Sequence, residues 1–332
     1  MDSESVQAVI VTVLSVLVIV DIIGNSLVCV VITRNQDMRI PINYLLVNLA
    51  VADMMVAVFF APFHIFIHTF NHPDGVLGRV LCSLVTGGGF AWVGGACSAF
   101  TLVAIAIERY YTVNYPHGNK GKLTNAKLKV IIPASWIFAL TMEMPGFLSL
   151  DFDKTLSSCT LAFSKEWMGK AYSVVWFLVF GGLPIPLMAI LYSTVVYNLW
   201  FKRNDQSTLT YQQKGVLKVR KRVTLMVVTV SIIFSICWMT DAVIFLLSYH
   251  STTNSPSDVT WTIAAVMILL NSAVNPFVYG LMSQRFREKI KGMIYCMTRS
   301  SNEIHITRET QEPLPANSIA HPTQLVELRF KE

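Results

Sequence analysis

Seven long runs of apolar residues, separated by short polar stretches, organise the chain between residues 7 and 282. They fall at about 7–32, 42–67, 80–107, 128–149, 171–200, 222–249 and 259–282. Each reaches the roughly 20 residues that a helix needs to cross the hydrocarbon of a bilayer. Helices of a soluble seven-helix protein would each carry a polar stripe at helical period, and these runs carry none. The pattern therefore predicts an all-α membrane protein, a seven-transmembrane helix bundle over 7–282. Residues 1–6 form a short stretch outside the membrane. After the last run, Arg285-Phe286-Arg287-Glu288-Lys289-Ile290-Lys291 alternates basic and apolar positions, as a short amphipathic helix on the membrane surface does, predicted over 283–296. From 297 to 332 the chain turns polar, with Pro313, Pro315 and Pro322, and reads as a disordered tail.

Charge sets the orientation. Of the 26 Lys and Arg, 22 fall on one side of the seven spans, and only Arg79, Lys154, Lys165 and Lys170 fall on the other. The positive-inside rule then places the N-terminus outside and the C-terminus in the cytoplasm, as in a multi-pass protein of the plasma membrane. Cations facing anionic lipid account for the net charge of +6, so no nucleic-acid partner is implied. The basic stretch from Lys202 to Arg222, read as a loop, suits either an acidic partner or lipid headgroups. Met1-Asp2-Ser3-Glu4 carries acid where a secretory signal carries base, so the first span is expected to act as an uncleaved anchor. No Asn-x-Ser/Thr acceptor occurs, and a stretch as short as 1–6 predicts that the ligand binds among helices and loops.

Six cysteines punctuate the chain. Cys82 and Cys159 alone face the oxidising side, and their disulfide is predicted to tether the loop 150–168 over the mouth of the bundle. Cys29, Cys97 and Cys237 lie inside spans and read as packing residues. Cys296, beyond the amphipathic stretch, reads either as a palmitoylation site or as a plain free thiol.

Polar groups inside hydrocarbon are costly and mark function. The first span carries Gly24-Asn25, the second Asn48-Leu49-Ala50-Val51-Ala52-Asp53 with Pro62, and the third ends in Glu108-Arg109-Tyr110 before Pro116. The fourth has Trp136 and Pro145, the fifth Pro184 and Tyr192, the sixth Phe234 with Cys237-Trp238. The seventh reads Asn271-Ser272-Ala273-Val274-Asn275-Pro276-Phe277-Val278-Tyr279. This ordered set, one motif per span, resembles the rhodopsin-like G-protein-coupled receptors over about residues 15–296. Ile105-Ala106-Ile107-Glu108-Arg109-Tyr110-Tyr111 and the run 274–283 look most like neuropeptide receptors.

The resemblance implies an extracellular ligand, a heterotrimeric G protein inside, arrestin at a phosphorylated tail (Ser300, Ser301, Thr307, Thr310) and no enzymatic activity. It implies a coupling switch at Glu108, Arg109, Tyr110, Tyr192, Asn275, Pro276 and Tyr279, and an activation core at Phe234, Trp238 and Pro184. It also implies a sodium pocket at Asp53, Ser98, Asn271 and Ser272, an allosteric ion rather than a cofactor; the other reading is a plain interhelical hydrogen-bond network. Physical reasons run alongside. Arg109 can be held by its neighbour or released toward Tyr192, Tyr279 and a partner's helix. Pro276 removes a backbone donor and leaves carbonyls for Asn25, Asn275, Asp53 and water to satisfy.

Four departures from the family pattern stand out. Thr240 replaces the kinking proline of the sixth span, where a hydroxyl-to-backbone bond can supply the bend. Arg220 stands where many relatives carry an acid, so that no sixth-span partner locks Arg109. Ala99 stands where a bulkier aliphatic packs against Phe234 and Pro184. Cys82 to Arg109 runs about two residues long, an excess that a π-type bulge within Gly87–Gly95 could absorb; close helix contact is the simpler reading of those glycines.

The candidate ligand pocket is His64, His68, Trp92, Asp241, Phe245 and Trp261, with Phe90 and Tyr249 as further aromatic walls. Asp241 lies three residues beyond Trp238, placed either to meet a ligand cation or to be neutralised by His64, His68 or water. His64 and His68, four apart, line a polar pocket, sense pH or bind a metal, the first being the ordinary case. Glu143, a further ionisable group of the outer half, is expected against a neighbouring helix or the interface, with a place at the ligand site as the alternative. Leu269 occupies the place of an opsin's retinal lysine, and Ala91 or Gly89 that of the amine receptors' acidic anchor, which disfavours both. A neuropeptide is the expected ligand; an amine-like or lipid ligand, or a constitutively active receptor, is the alternative. A transporter or channel would need a continuous charged path, which Asp53 and the Arg109 region do not make.

Overall fold

The described residues of the computed structural model are 3–66, 72–73, 75–115, 123–153, 155, 158–201, 210–251 and 256–293. His68, Pro116, Cys296 and the expected tail over 297–332 lie outside them. Residues 1–289 form one compact unit and 290–332 a second; of the second only 290–293 are described, in helical conformation.

Among the described residues, seven helices are long and apolar enough to cross a membrane. Helix α1 (Ser3–Arg34) is the first span and α2 (Pro41–Ala61), extended by a π turn over Pro62–Phe66, the second. The third is α3 (Gly75–Leu81), a π turn over Cys82–Thr86 and α4 (Gly89–Asn114). The fourth is α5 (Asn125–Ser149). A hairpin follows, β1 (Leu150–Asp153) antiparallel to β2 (Ser158–Leu161), with Phe152 opposite Cys159. The fifth span is α6 (Glu166–Phe177), a π turn over Leu178–Gly182, α7 (Pro184–Val196) and a last π turn over Tyr197–Phe201. The sixth is α8 (Tyr211–His250) and the seventh α9 (Asp258–Met282). A short helix, α10, begins at residue 284.

The helices run past the apolar stretches that announced them, because apolarity marks only the part in hydrocarbon. The clearest case is α8, which starts at Tyr211 rather than near 222. Thr210 and Gln213 form a reciprocal capping box there, satisfying orphan amide donors in water. Lys214 to Arg222, read above as loop, are therefore helical. Ser257 caps α9 by a single bond, its hydroxyl accepting the Thr260 N–H at 3.3 Å.

Burial orders the spans. The third is 67% buried over its most apolar window and the first only 17%, so the third sits centrally. Val16, Ile19 and Ile23 on α1 are more than half exposed, as a lipid-facing surface requires. Glycines decide how closely the central helix is approached. A Cβ on Gly94 would lie 2.6 Å from the Ala52 carbonyl oxygen, and one on Gly95 would lie 2.1 Å from the Trp238 ring. Small residues at these contacts admit the second and sixth spans.

The extra length between Cys82 and Arg109 is taken up differently from the expectation. The π turn sits at Cys82–Thr86, before the glycine run, closed by Gly87 N–H to the Cys82 carbonyl at 2.8 Å. Gly88 then breaks the helix at φ +72°, a left-handed conformation that an L side chain resists. A widened turn ahead of the tightly packed glycines leaves Gly94 and Gly95 in regular helix, where their contacts need them.

Candidate functional site

Asp53 is 1% exposed on α2. Its carboxylate accepts from Ser98 Oγ at 3.1 Å and from Asn275 Nδ2 at 2.7 Å, joining the second, third and seventh spans. Pro276, next along α9, has no N–H to offer the carbonyl four residues back, that of Ser272. Asn25 Nδ2 donates to that carbonyl at 3.2 Å and so answers the vacancy from the first span. Helix α1 comes this close because residue 24 is glycine: a Cβ there would lie 2.8 Å from Pro276 Cγ.

The seam holds one group that sequence reasoning passed over. Asp21 is fully buried, its Oδ1 accepting from Asn25 Nδ2 at 2.7 Å. An acid in the middle of a helix whose other charges, Glu4 and Arg34, stand near its ends, four residues before a motif asparagine and on its face, was the available signal. Asn271 and Ser272 are also buried here. Asp21 Oδ2, Asn25 Oδ1, Asn271 Oδ1, Ser272 Oγ and Asn275 Oδ1 have no hydrogen-bond partner among the described residues. A set of carboxylate, amide and hydroxyl oxygens suits a hard cation.

A second polar lock joins spans two, three and four. Asn48 Nδ2 donates to Thr101 Oγ1 at 2.8 Å and Ser135 Oγ at 3.2 Å, while Trp136 Nε1 donates to Asn48 Oδ1 at 2.9 Å.

At the end of the bundle that carries α10, Arg109 Nε donates to Glu108 Oε2, and Thr112 Oγ1 donates to the other oxygen at 2.8 Å. Both residues of the pair are nearly buried. The Tyr192 hydroxyl, on α7, accepts from Ser231 Oγ at 3.3 Å, and no hydrogen bond joins it to Arg109 among the described residues. Tyr279 is buried with its ring edge-on to Phe286 of α10, and Tyr110 stacks edge-on against Tyr111. Lys289 reaches Asp37 at 2.9 Å, and this partner holds the exposed Asp37 carboxyl below its ordinary range.

The opposite end opens into a cavity of about 760 Å³, within the size that holds a small ligand or the end of a peptide. His64, Trp92, Asp241, Phe245 and Trp261 all line it. The disulfide Cys82–Cys159, Cα atoms 5.6 Å apart, holds the hairpin across its rim. Arg79 fastens the same hairpin through Asp151 at 3.0 Å, and this hydrogen bond lowers the Asp151 carboxyl from its usual range.

Glu143 takes both of the places that the sequence left open to it. It does bond to a neighbouring helix, accepting from Tyr172 Oη at 3.2 Å, but it also lines the cavity. Asp241 accepts from Trp176 Nε1 at 3.4 Å. Tyr172, Trp176 and Phe180 went unremarked in the sequence, although their spacing of four puts them on one helix face. They form a ladder, with ring centroids 5.9 Å and then 4.5 Å apart. Phe180 stacks on Trp238 at 4.5 Å and 9°, and Trp238 on Phe234 at 5.8 Å. Pro184 is buried one turn beyond Phe180. The ladder runs from the cavity wall to the buried middle of the sixth span. Phe90 packs instead between Phe59 and Phe147.

Seven membrane-crossing helices, a cavity at one end, a buried polar seam and a clasped arginine at the other define a seven-helix membrane receptor. Residues 24–279 match the family described as 7 transmembrane receptor (rhodopsin family). The chain belongs to that family, one of receptors and not of enzymes. It is 28% identical to the Allatostatin-A receptor of Bombyx mori over 84% of this chain and 77% of that one. It is 28% identical to Probable G-protein coupled receptor 19 of Mus musculus over 83% of this chain, spanning 65% of that relative's length. It is 28% identical to the Pyroglutamylated RF-amide peptide receptor of Rattus norvegicus, over 84% of this chain and 68% of that one.

Proposed function

We propose that this chain is a plasma-membrane receptor that binds an extracellular peptide messenger in the hairpin-end cavity and activates a heterotrimeric G protein at the Arg109 end. The observation that carries the reading is the continuous aromatic ladder Tyr172–Trp176–Phe180–Trp238–Phe234. A ligand that displaces Tyr172 or Trp176 changes the packing around Trp238, and tightly packed aromatic interiors repack in discrete steps. The seam around Asp53, Asn25 and Asn275 is the bistable layer between cavity and switch, and a sodium ion among Asp53, Ser98, Asn271 and Ser272 would favour the packing with Arg109 clasped. Cation bias puts the hairpin end outside. A relative whose name states a peptide ligand supports the peptide class. Arrestin, docking on the phosphorylated tail, is the second cytoplasmic partner.

The test is nucleotide exchange on G proteins in membranes from cells expressing the chain, challenged with a library of secreted-type peptides, amidated and free. A peptide class is expected to raise exchange in wild type, with the response lost in Arg109→Gln and in Trp238→Ala. Failure of every peptide, together with exchange that does not differ between wild type and Arg109→Gln, overturns the reading.

A further inference from the structure

We infer that the ligand enters this cavity with a cationic group, a guanidinium or an ammonium, which is held between Glu143 and Asp241; the inference rests on the receptor reading above. Both acids are at least 97% buried and both line the cavity. They come from different helices, α5 and α8, and are presented by adjacent rungs of one face of α6, Tyr172 to Glu143 and Trp176 to Asp241.

Each carboxylate has capacity for about four hydrogen bonds; Glu143 accepts from Tyr172 at 3.2 Å and Asp241 from Trp176 at 3.4 Å. Glu143 Oε1 has no partner among the described residues. Gly146 shows that room has been kept for the arrangement. A Cβ at that position would lie 2.8 Å from the Tyr172 hydroxyl and 3.0 Å from Glu143 Oε2, and would press on the bond that aims the acid.

No lysine or arginine lines the cavity among the described residues; the basic group on its wall is His64, whose ring packs on Phe60 and Phe63. Burial costs an isolated carboxylate its charge, and a ligand cation restores it, so two acids in a mainly apolar cleft favour a cation and disfavour an anion. A guanidinium presents five donors and matches carboxylates two at a time. The faces of Trp92, Trp176 and Phe245 add the favourable contact that aromatic rings make with a desolvated cation. The same chemistry serves an arginine or lysine of a peptide and the ammonium of a small amine, and the probes separate these sources.

The experiment measures the melting temperature of the full purified chain with four millimolar probes. Arginine amide is paired with its neutral isostere citrulline amide, and phenethylamine with phenylethanol. Glu143→Gln and Asp241→Asn keep an oxygen to accept from Tyr172 and Trp176 while removing the charge, so a purely structural role survives them. The expected result is a rise of about 2 °C or more with one or both cations and none with the neutral partners. That rise should be reduced in each single variant and absent in the double. Arginine amide acting alone identifies a peptide-type cation, and phenethylamine acting alone an amine. Equal shifts from the neutral isosteres, no shift from either cation, or a cation shift that survives both single variants overturns the inference. Nucleotide exchange in the same preparation, compared with Arg109→Gln, reports separately on the receptor reading. Wild-type exchange that Arg109→Gln removes, with no cation effect, sinks the cation clamp alone. If the double variant does not fold, the two single variants decide.

Discussion

At the scale of single residues, the bundle depends on atoms that have one suitable neighbour. Asn25 is the clearest case, since its amide serves both Asp21 and the Ser272 carbonyl that Pro276 leaves open. Replacing it with alanine strands two buried acceptors, each worth about 1–3 kcal/mol. Asn25→Ala is therefore expected to lower the melting temperature of the detergent-purified protein by several degrees, whereas an unchanged value would show that water serves as well. Gly95 fails in the opposite direction. Its Cβ has no space against Trp238, so Gly95→Ala should cost about 1–3 kcal/mol of overpacking and shift the intrinsic fluorescence of the buried tryptophan. Asp151 offers a pH test. Arg79 lowers its carboxyl in the folded state, so the stabilisation is fully present above the ordinary carboxylate value of about 4 and is lost as pH falls through the lowered one. Because the pair is exposed, the effect is small. The melting difference between wild type and Asp151→Asn should be slight at neutral pH and vanish in acid.

Whole elements respond to tethers and to helix geometry. The disulfide Cys82–Cys159 closes a sequence separation of 77 residues, which in the chain-entropy account is worth about 4–5 kcal/mol. Cys82→Ser with Cys159→Ser is expected to destabilise the purified chain strongly and to free the hairpin. Protease sensitivity within 150–161 should rise if so, and stay low if the Arg79 contact suffices. In the sixth span, Thr240 Oγ1 donates to the Ile236 carbonyl at 2.8 Å, the local bond that bends helices gently, and α8 remains unbroken from Tyr211 to His250. A proline at that position would remove the backbone donor and kink the helix outright.

For the molecule as a whole, the proposed function makes the balance between two packings turn on what holds Arg109. Glu108 does so, and no acid from α8 joins it among the described residues; the sixth span offers Arg220 in that region. A clasp with one acid is weaker than one closed from two helices. Appreciable nucleotide exchange without ligand is the expected consequence, raised further by Glu108→Gln and abolished by Arg109→Gln. Basal exchange no higher than in mock-transfected membranes would show that the seam alone holds the resting packing.

How much of this was written in the chain follows from the range of the forces involved. Hydrophobic runs are local sums, so seven spans and the polar motif in each were legible from residues 7–282 alone. So was the pairing of Cys82 with Cys159, because few cysteines share a side. Helix ends were not, since α8 begins in water where capping at Thr210 and Gln213, not apolarity, decides. The π turn at Cys82–Thr86 was foreseen in kind and misplaced, because where a helix widens depends on which glycines a neighbour presses against. The partners of Glu143, Asp241 and Asp21 belong to the tertiary structure. A sequence shows that an acid is buried, but which donor meets it, and whether it faces a cavity, depends on the rotation and approach of helices far apart in the chain.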